Sequence, residues 1–124
     1  MDQNLKRKRE KAIDQNLKKV FNEQIKLEFE SAYIYLSMAT YFHNVGLDGM
    51  AKWLRMQAKE EVEHAMKFFD HLIDRDEKVD LMRVNIEKVN WASPLEAFKD
   101  AYEHERFVTG KLIAMSKCRM QNAN

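Results

Sequence analysis

Three segments of this chain each carry an apolar stripe interrupted by a single glutamate, and these glutamates are the first candidates for chemistry. Apolar side chains recur every three or four residues in each segment, which places them on one face of an α-helix. A carboxylate on such a face is buried when the helix packs, and a buried carboxylate without a partner is too costly to persist. Glu28, Glu61 and Glu105 must therefore be protonated, paired with a cation or bound to a metal ion.

The stripes alternate between steps of three and four residues. The first consists of Phe21, Ile25, Glu28, Ala32, Tyr35, Ala39 and Phe42. The second consists of Leu54, Ala58, Glu61, Ala65, Phe68 and Leu72. The third consists of Phe98, Ala101, Glu105, Val108, Leu112 and Met115. Three glutamates at mid-helix on three helices favour a site built inside a helical bundle.

A histidine lies one turn after the second glutamate. Glu61 and His64 are three residues apart, so they share a helix face. Three carboxylates and one imidazole suit iron or manganese better than a structural zinc site, which prefers sulfur and nitrogen. A carboxylate can also bridge two metal ions about 3.5–4 Å apart. We therefore predict a metal pair bridged by Glu61, with Glu28 and His64 on one ion and Glu105 on the other.

Other interpretations of the same residues are open. A Glu-x-x-His pair on a charged helix usually faces solvent, and a single buried glutamate can pair with Lys or Arg; three glutamates with one histidine favour the metal interpretation. Glu60 and Glu63 are expected to face water or the helix rim. Tyr35 lies two turns after Glu28, either as a core residue or as a phenol that hydrogen-bonds or passes an electron near the metals. The other histidines lack such stripes and are predicted at the surface: His43, His71 and His104.

Length and composition bound the class of protein. The 124 residues correspond to about one domain. The 21 basic residues nearly balance the 20 acidic ones, so we expect no nucleic-acid partner. The basic run Lys6–Arg9 could contact an acidic partner or nucleic acid, although a solvated extension is the favoured interpretation. The single cysteine, Cys118, excludes an internal disulfide framework. Without a signal peptide or an apolar run of membrane-spanning length, we expect a cytoplasmic protein with no membrane partner.

Three long helices account for most of the chain. The predicted organisation is a polar basic extension at 1–12, a helical domain at 13–120 and a polar tail at 121–124. Within the domain, helices are predicted at about 13–43, 48–75 and 94–120, with a crossover at 77–93. Gly46 suits the left-handed end of the first helix, Asp48 is the expected cap of the second, and Ser93–Glu96 is a strong helix start. Two antiparallel helices, a long crossover and a third helix describe an all-α bundle with three of four long helices present.

The segments that carry these residues resemble a non-haem bacterial or archaeal ferritin. The matching runs are NEQIKLEFESAYIYLSM at 22–38, EEVEHAMKFFD at 60–70, SPLEAF at 93–98 and YEHE at 102–105, within a resemblance that covers about 14–114. It implies a cage-forming iron-storage homo-oligomer in which Fe(II) and O₂ react at a di-iron ferroxidase centre and Fe(III) is stored as mineral. The implied metal ligands are Glu28, Glu61, His64 and Glu105, with Tyr35 as the tyrosine beside the metals and Glu60 at a third, weaker iron site.

The sequence also departs from that family. Ferritins have a fourth long helix that supplies a glutamine ligand and further glutamates, and this sequence lacks it, so the resemblance implies a truncated or divergent ferritin. The expectation is that apolar side chains face the resulting gap and are covered by self-association: Phe21, Ile25, Phe42, Leu54, Phe68, Phe98, Val108 and Leu112. Two alternatives stay open. One is a rubrerythrin-like di-iron oxidoreductase, which would need a second Glu-x-x-His; the other is a non-enzymatic helical assembly module that has lost the site.

Overall fold

The chain folds as three α-helices in the computed structural model, which describes the backbone of residues 2–123 and the side chains of 3–5, 16–115 and 117. These helices are α1 (Asp2–Asn44), α2 (Asp48–Asp74) and α3 (Pro94–Ala123). The predicted all-α class is therefore confirmed. The side chains of the basic run Lys6–Arg9 and of Cys118 lie outside the described residues. No helix in the described range combines the length and the apolarity that a bilayer crossing requires.

The helix boundaries agree with the sequence analysis except at the beginning of α1. The predicted start at Ile13 is wrong, because α1 is helical from Asp2 onwards. The segment before Ile13 contains three Lys and two Arg, which are good helix formers, and neither Gly nor Pro, so no helix breaker precedes Ile13. The division into an extension at 1–12 and a domain at 13–120 stays a prediction.

The turn between α1 and α2 is formed by a left-handed glycine. Gly46 has a φ of +82°, as predicted, and the backbone N–H of Leu47 donates to the carbonyl of Phe42 at 2.8 Å. The predicted cap at Asp48 is wrong. Leu47 occupies the N-cap position and makes no side-chain cap, whereas Asp48 is already helical and its Oδ1 lies 3.3 Å from Nδ1 of His43.

The start of α3 follows its sequence signal. The hydroxyl of Ser93 accepts the backbone N–H of Glu96 at 3.2 Å, and the Glu96 carboxylate accepts the backbone N–H of Ala92 at 2.6 Å. Each end of this short motif therefore satisfies a backbone donor that the helix itself leaves free.

The core lies along α1, which packs against both other helices. Among the described residues, the backbones of α2 and α3 do not come within 8 Å of each other. Two apolar clusters result, one around Tyr35, Phe42 and Leu54 and the other around Phe21 and Leu72. The site predicted from the interrupted stripes lies along the stretch of α1 between them.

The first two stripes are buried as predicted, apart from a half-buried Phe68, but the third is buried only in part. Phe98 is 45% exposed and Glu105 is also exposed, while Val108 and Met115 are buried. The prediction that eight apolar side chains face a gap in the bundle was accordingly too broad. The residues that neighbouring helices already cover are Phe21, Ile25, Phe42, Leu54 and Val108. Of the remaining three, Phe98 is exposed and Phe68 and Leu112 are half-buried.

Candidate metal centre

Glu28 is a buried carboxylate in the middle of α1 with one satisfied and one unsatisfied oxygen. Its residue exposure is 1%. Oε1 accepts a hydrogen bond of 3.0 Å from the side-chain amide of Gln24, one turn earlier on the same helix. Oε2 is fully buried and has no hydrogen-bond partner. Because a buried carboxylate oxygen is costly without a compensating charge or donor, this atom fits a bound cation.

Three of the predicted ligands meet around that oxygen. Glu61 is 8% exposed on the inner face of α2, and His64 lies one turn later with an exposed ring. Nδ1 of His64 is 3.6 Å from Oε2 of Glu28 and 3.5 Å from Oε2 of Glu61. One ligand atom from each of the three residues lies within 4.8 Å of the others. Two helices thus bring two carboxylates and one imidazole to a volume that a single metal ion can occupy.

The electrostatics of the cluster favour a proton where a metal ion is absent. The pKa of Glu61 is raised to about 8, chiefly by burial and further by the hydrogen bond and charge of Glu28 and the charge of Glu60. At neutral pH the metal-free Glu61 side chain is therefore mostly protonated. The repulsion between the carboxylates of Glu28 and Glu61 is reduced more by a divalent cation than by one proton, because the cation compensates both charges at once.

Glu105 lies beside this cluster and is held by a tyrosine. The hydroxyl of the buried Tyr35 donates to Oε1 of Glu105, which joins α1 to α3. Partial burial raises the pKa of Glu105, and the negative charge of Glu28 raises it further, so the two carboxylates interact. Among the residues described, Glu105 is not in the close group formed by Glu28, Glu61 and His64. The arrangement offers one tight three-ligand position and a fourth carboxylate at its edge.

The remaining predicted residues divide between surface and interior. Glu60 is exposed and affects the site through its charge on Glu61. His43 is exposed, as predicted. The surface prediction is wrong for His71 and His104, which are both half-buried.

Each of the two half-buried histidines has an aromatic or polar neighbour. The ring of His71 packs edge-on against Phe21 at 4.8 Å. Nε2 of His104 lies 2.6 Å from the hydroxyl of Ser31, and burial lowers the pKa of His104. Sequence spacing could have placed His104, because it lies three residues after Ala101 and four before Val108, both on the packed face of α3.

Gln24 is the site residue that the sequence analysis missed. It precedes Glu28 by four residues, a spacing at which two side chains on a helix are neighbours. An amide and a carboxylate at that spacing, both on the buried side of α1, were the available signal. The buried position of Gln24 follows from Phe21 and Ile25, which flank it on the apolar side.

A cavity of about 380 Å³ opens beside the three-residue cluster. It lies between α2 and α3 above α1, and Glu28 and His64 contribute to its wall. The other lining residues are Phe21, Lys67, Phe68, His71 and Leu112. The cluster is thus accessible to small ions from the open side of the bundle.

Comparison with known proteins gives a consistent result over most of the chain. Residues 18–118 match the family model described as the ferritin-like domain. A bacterial non-heme ferritin of Bacteroides fragilis (strain 638R) is 38% identical over 101 residues, which cover 82% of this chain and 63% of that protein. The corresponding protein of Campylobacter jejuni is 37% identical over 97 residues, covering 78% of this chain and 58% of that one. This chain therefore spans less than two thirds of the length of these relatives.

Solved structures show the same helical arrangement. The open pore ferritin of the hyperthermophilic archaeon Archaeoglobus fulgidus aligns with a TM-score of 0.82 at 43% identity, covering 86% of this chain and 65% of that one. A PmFTN variant soaked in iron aligns with a TM-score of 0.82 at 27% identity, covering 86% of this chain and 69% of that one. Both alignments include most of the described helices.

Proposed function

The chain belongs to the ferritin-like family, and from that membership we propose that it binds Fe(II) at a di-iron carboxylate site and oxidises it with O₂ for storage as Fe(III) mineral. The proposed ligands are Glu28, Glu61, His64 and Glu105. The observation that carries the proposal is the buried, unpartnered Oε2 of Glu28, which faces two further ligands that its family would use for iron. Iron is here a substrate, which binds, is oxidised and leaves as stored mineral.

The protein's own groups have separate tasks in this proposal. Glu61 loses its proton to bind the two iron ions as a bridge, which keeps them at a fixed separation. Glu28 and His64 complete one position, and Glu105 provides the carboxylate of the other. Tyr35 holds Glu105 through its hydroxyl and is the residue through which an electron could pass. Glu60, exposed at the rim, is proposed as a ligand of a third, weaker site.

Anaerobic titration with Fe(II) tests the proposal directly. The chain is expected to bind two equivalents, and Glu61→Ala should abolish tight binding of both because the shared ligand is lost. Glu105→Ala and His64→Ala should each weaken mainly one equivalent. Glu63→Ala is the matched control, since Glu63 lies on the same turn but is exposed and is not part of the cluster.

The outcome of the titration separates the proposal from its rivals. Binding of Fe(II) by Glu61→Ala as in the parent chain would show that the bridging assignment is wrong. If the parent chain binds no Fe(II), the helical assembly module without a site becomes the better description. Two bound equivalents with peroxide consumption much faster than O₂ consumption would instead favour a rubrerythrin-like peroxidase.

We also propose that the chain acts as a homo-oligomer. One side of α3 carries large apolar side chains that are more than half exposed, including Leu95, Tyr102 and Ile113. Their spacing of seven and eleven residues places them on one face of the helix. A second copy of the chain is the proposed cover for this face.

A further inference from the structure

We propose that Gln24 is a positioning residue that aims the carboxylate of Glu28 at the bound metal ion. The inference rests on the proposed function, because it concerns the same site. Gln24 is not a ligand in this scheme. It acts through Glu28 by holding one oxygen and leaving the other free.

Gln24 and Glu28 form a buried, hydrogen-bonded pair one turn apart on α1. Both side chains are almost fully buried, with exposures of 2% for Gln24 and 1% for Glu28. Nε2 of Gln24 donates to Oε1 of Glu28 at 3.0 Å. Oε2 of Glu28 is then left without a hydrogen bond and lies 3.6 Å from Nδ1 of His64. The amide thus determines which of the two carboxylate oxygens faces the other ligands.

An amide is suited to this task for a chemical reason. A lysine or arginine at the same place would pair with Glu28 and compete with the metal ion, whereas an apolar side chain would leave both oxygens without a donor. The amide donates one hydrogen bond without adding charge, so the carboxylate keeps the negative charge that attracts a cation. Groups that orient metal ligands in this way typically change metal affinity by about 10–100-fold when they are removed.

The rest of the environment supports a local role for Gln24. The nearby buried amide of Asn22 makes a different set of contacts, accepting the backbone N–H of Asp80 at 2.9 Å and donating to the carbonyl of Lys18 at 3.0 Å. Asn22 thus holds the crossover, and Gln24 holds a site residue. The two buried amides therefore have different roles: Asn22 supports the crossover, and Gln24 supports a ligand of the metal site.

The test is Co(II) binding. Calorimetry measures the affinity, and the visible absorption bands of the bound ion report its coordination. Gln24→Leu is expected to weaken Co(II) binding about 10–100-fold and to change the band shape, because the coordination by Glu28 changes. Gln24→Asn should have the same effect, since it keeps a buried amide but withdraws the donor by one methylene. Asn22→Leu is the control and should lower stability while leaving Co(II) affinity within about twofold of the parent.

A double variant shows whether Gln24 acts through Glu28. In the Glu28→Ala background, Gln24→Leu should cause no further loss of affinity, because the group it positions is absent. Equal affinity and unchanged bands in Gln24→Leu and Gln24→Asn would overturn the inference and leave the proposed function standing. An additional loss in the Glu28→Ala background would also overturn it. Absence of Co(II) and Fe(II) binding by the parent chain would overturn both.

Discussion

Burial and metal binding favour opposite protonation states of Glu61. Burial and the neighbouring Glu28 raise its pKa to about 8, so the metal-free side chain is mostly protonated at pH 7. A metal ion requires the carboxylate, and its binding therefore releases a proton. The same group then couples the stability of the metal-free protein to pH.

The free energy of unfolding of the metal-free protein should fall as the pH rises from 6.5 to 8. In the native state Glu61 has a pKa of about 8 and keeps its proton until the pH approaches that value. In the unfolded state its pKa is the ordinary 4.5, so the side chain has already lost the proton above pH 6.5. His104 opposes this trend only at the lower end of the range, because burial lowers its native pKa and the unfolded ring has lost most of its proton about one pH unit above its ordinary value of 6.5. Urea unfolding at a series of pH values, with a chelator present, measures the slope.

Two variants assign the slope to its source. Glu61→Gln should remove most of the fall, because the amide does not titrate. Glu63→Gln replaces an exposed carboxylate on the same turn and should keep the parental slope. A parental slope in Glu61→Gln would contradict the assignment.

The sequence predicted part of this cluster for a local reason. Spacing within one helix determines that Glu61 and His64 are neighbours, and the apolar stripe determines that Glu28 is buried. The exposure of Glu105 depends instead on how α3 is rotated against α1. Its packed face is centred on Ala97 and Val108, so Glu105 lies at the edge of the interface. That rotation is a tertiary property, which periodicity alone does not specify.

At the scale of elements, the crossover between α2 and α3 is held at both ends by polar contacts. Near its start, Asn22 accepts the backbone N–H of Asp80 at 2.9 Å. Near its end, the indole N–H of Trp91 donates to Asp100 at 2.8 Å, and Lys88 lies 2.8 Å from the same carboxylate. These contacts hold the crossover against α1 at one end and against the first turns of α3 at the other.

Asn22→Leu should destabilise the protein by about 1–3 kcal/mol, because it leaves the backbone N–H of Asp80 without its partner in a partly buried place. Chemical denaturation followed by circular dichroism measures the change. Thr40→Val removes a hydrogen bond that is exposed and should cost less than about 0.5 kcal/mol. Equal losses in the two variants would show that the crossover contact does not contribute to stability.

Tyr35→Phe should weaken the attachment of α3 to α1. It removes the hydroxyl that donates to Glu105, and a typical loss for one such hydrogen bond is about 0.5–1.5 kcal/mol. If the phenol also takes part in the oxidation, the initial rate of Fe(II) oxidation falls while the number of Fe(II) bound stays the same. Tyr33→Phe is the control, since Tyr33 is an exposed tyrosine on the same helix. Parental stability and oxidation rate in Tyr35→Phe would contradict both roles.

Helix boundaries were predictable where a single residue determines the backbone. Gly46 provides the left-handed turn and Ser93 provides a cap, and both act as predicted. Asp48 did not act as a cap, because the turn geometry places Leu47 at the N-cap position and leaves the aspartate beside His43. Residue types alone favour Asp48 as the N-cap, and only the backbone geometry shows that the helix begins one residue earlier.

At the scale of the whole molecule, the three helices form an open arrangement rather than a closed bundle. α1 contacts both partners, but the backbones of α2 and α3 do not approach each other in the described part of the chain. The sequence analysis expected eight apolar side chains to face a gap, and five of them are buried instead. Side chains near α1 are covered by the two packed helices, while the apolar residues on the far side of α3 remain exposed.

The last prediction is that the chain self-associates through the exposed face of α3. Leu95, Tyr102 and Ile113 are 63%, 64% and 52% exposed on one side of that helix. Full burial of a large apolar side chain is worth about 1.5–3 kcal/mol, so covering three of them is comparable with the stability of a small domain. Two open arrangements could pair through this face, or two chains could exchange helices.

Sedimentation equilibrium at low micromolar concentration should therefore detect a dimer or larger assembly. Leu95→Lys combined with Ile113→Lys should shift the chain towards monomer, because two charges would have to be desolvated in the contact. Val45→Lys places a charge on an exposed apolar position in the turn between α1 and α2 and should leave the assembly unchanged. A compact parent monomer that melts cooperatively and binds no apolar dye would show that three helices suffice, and the self-association proposal would have to be abandoned.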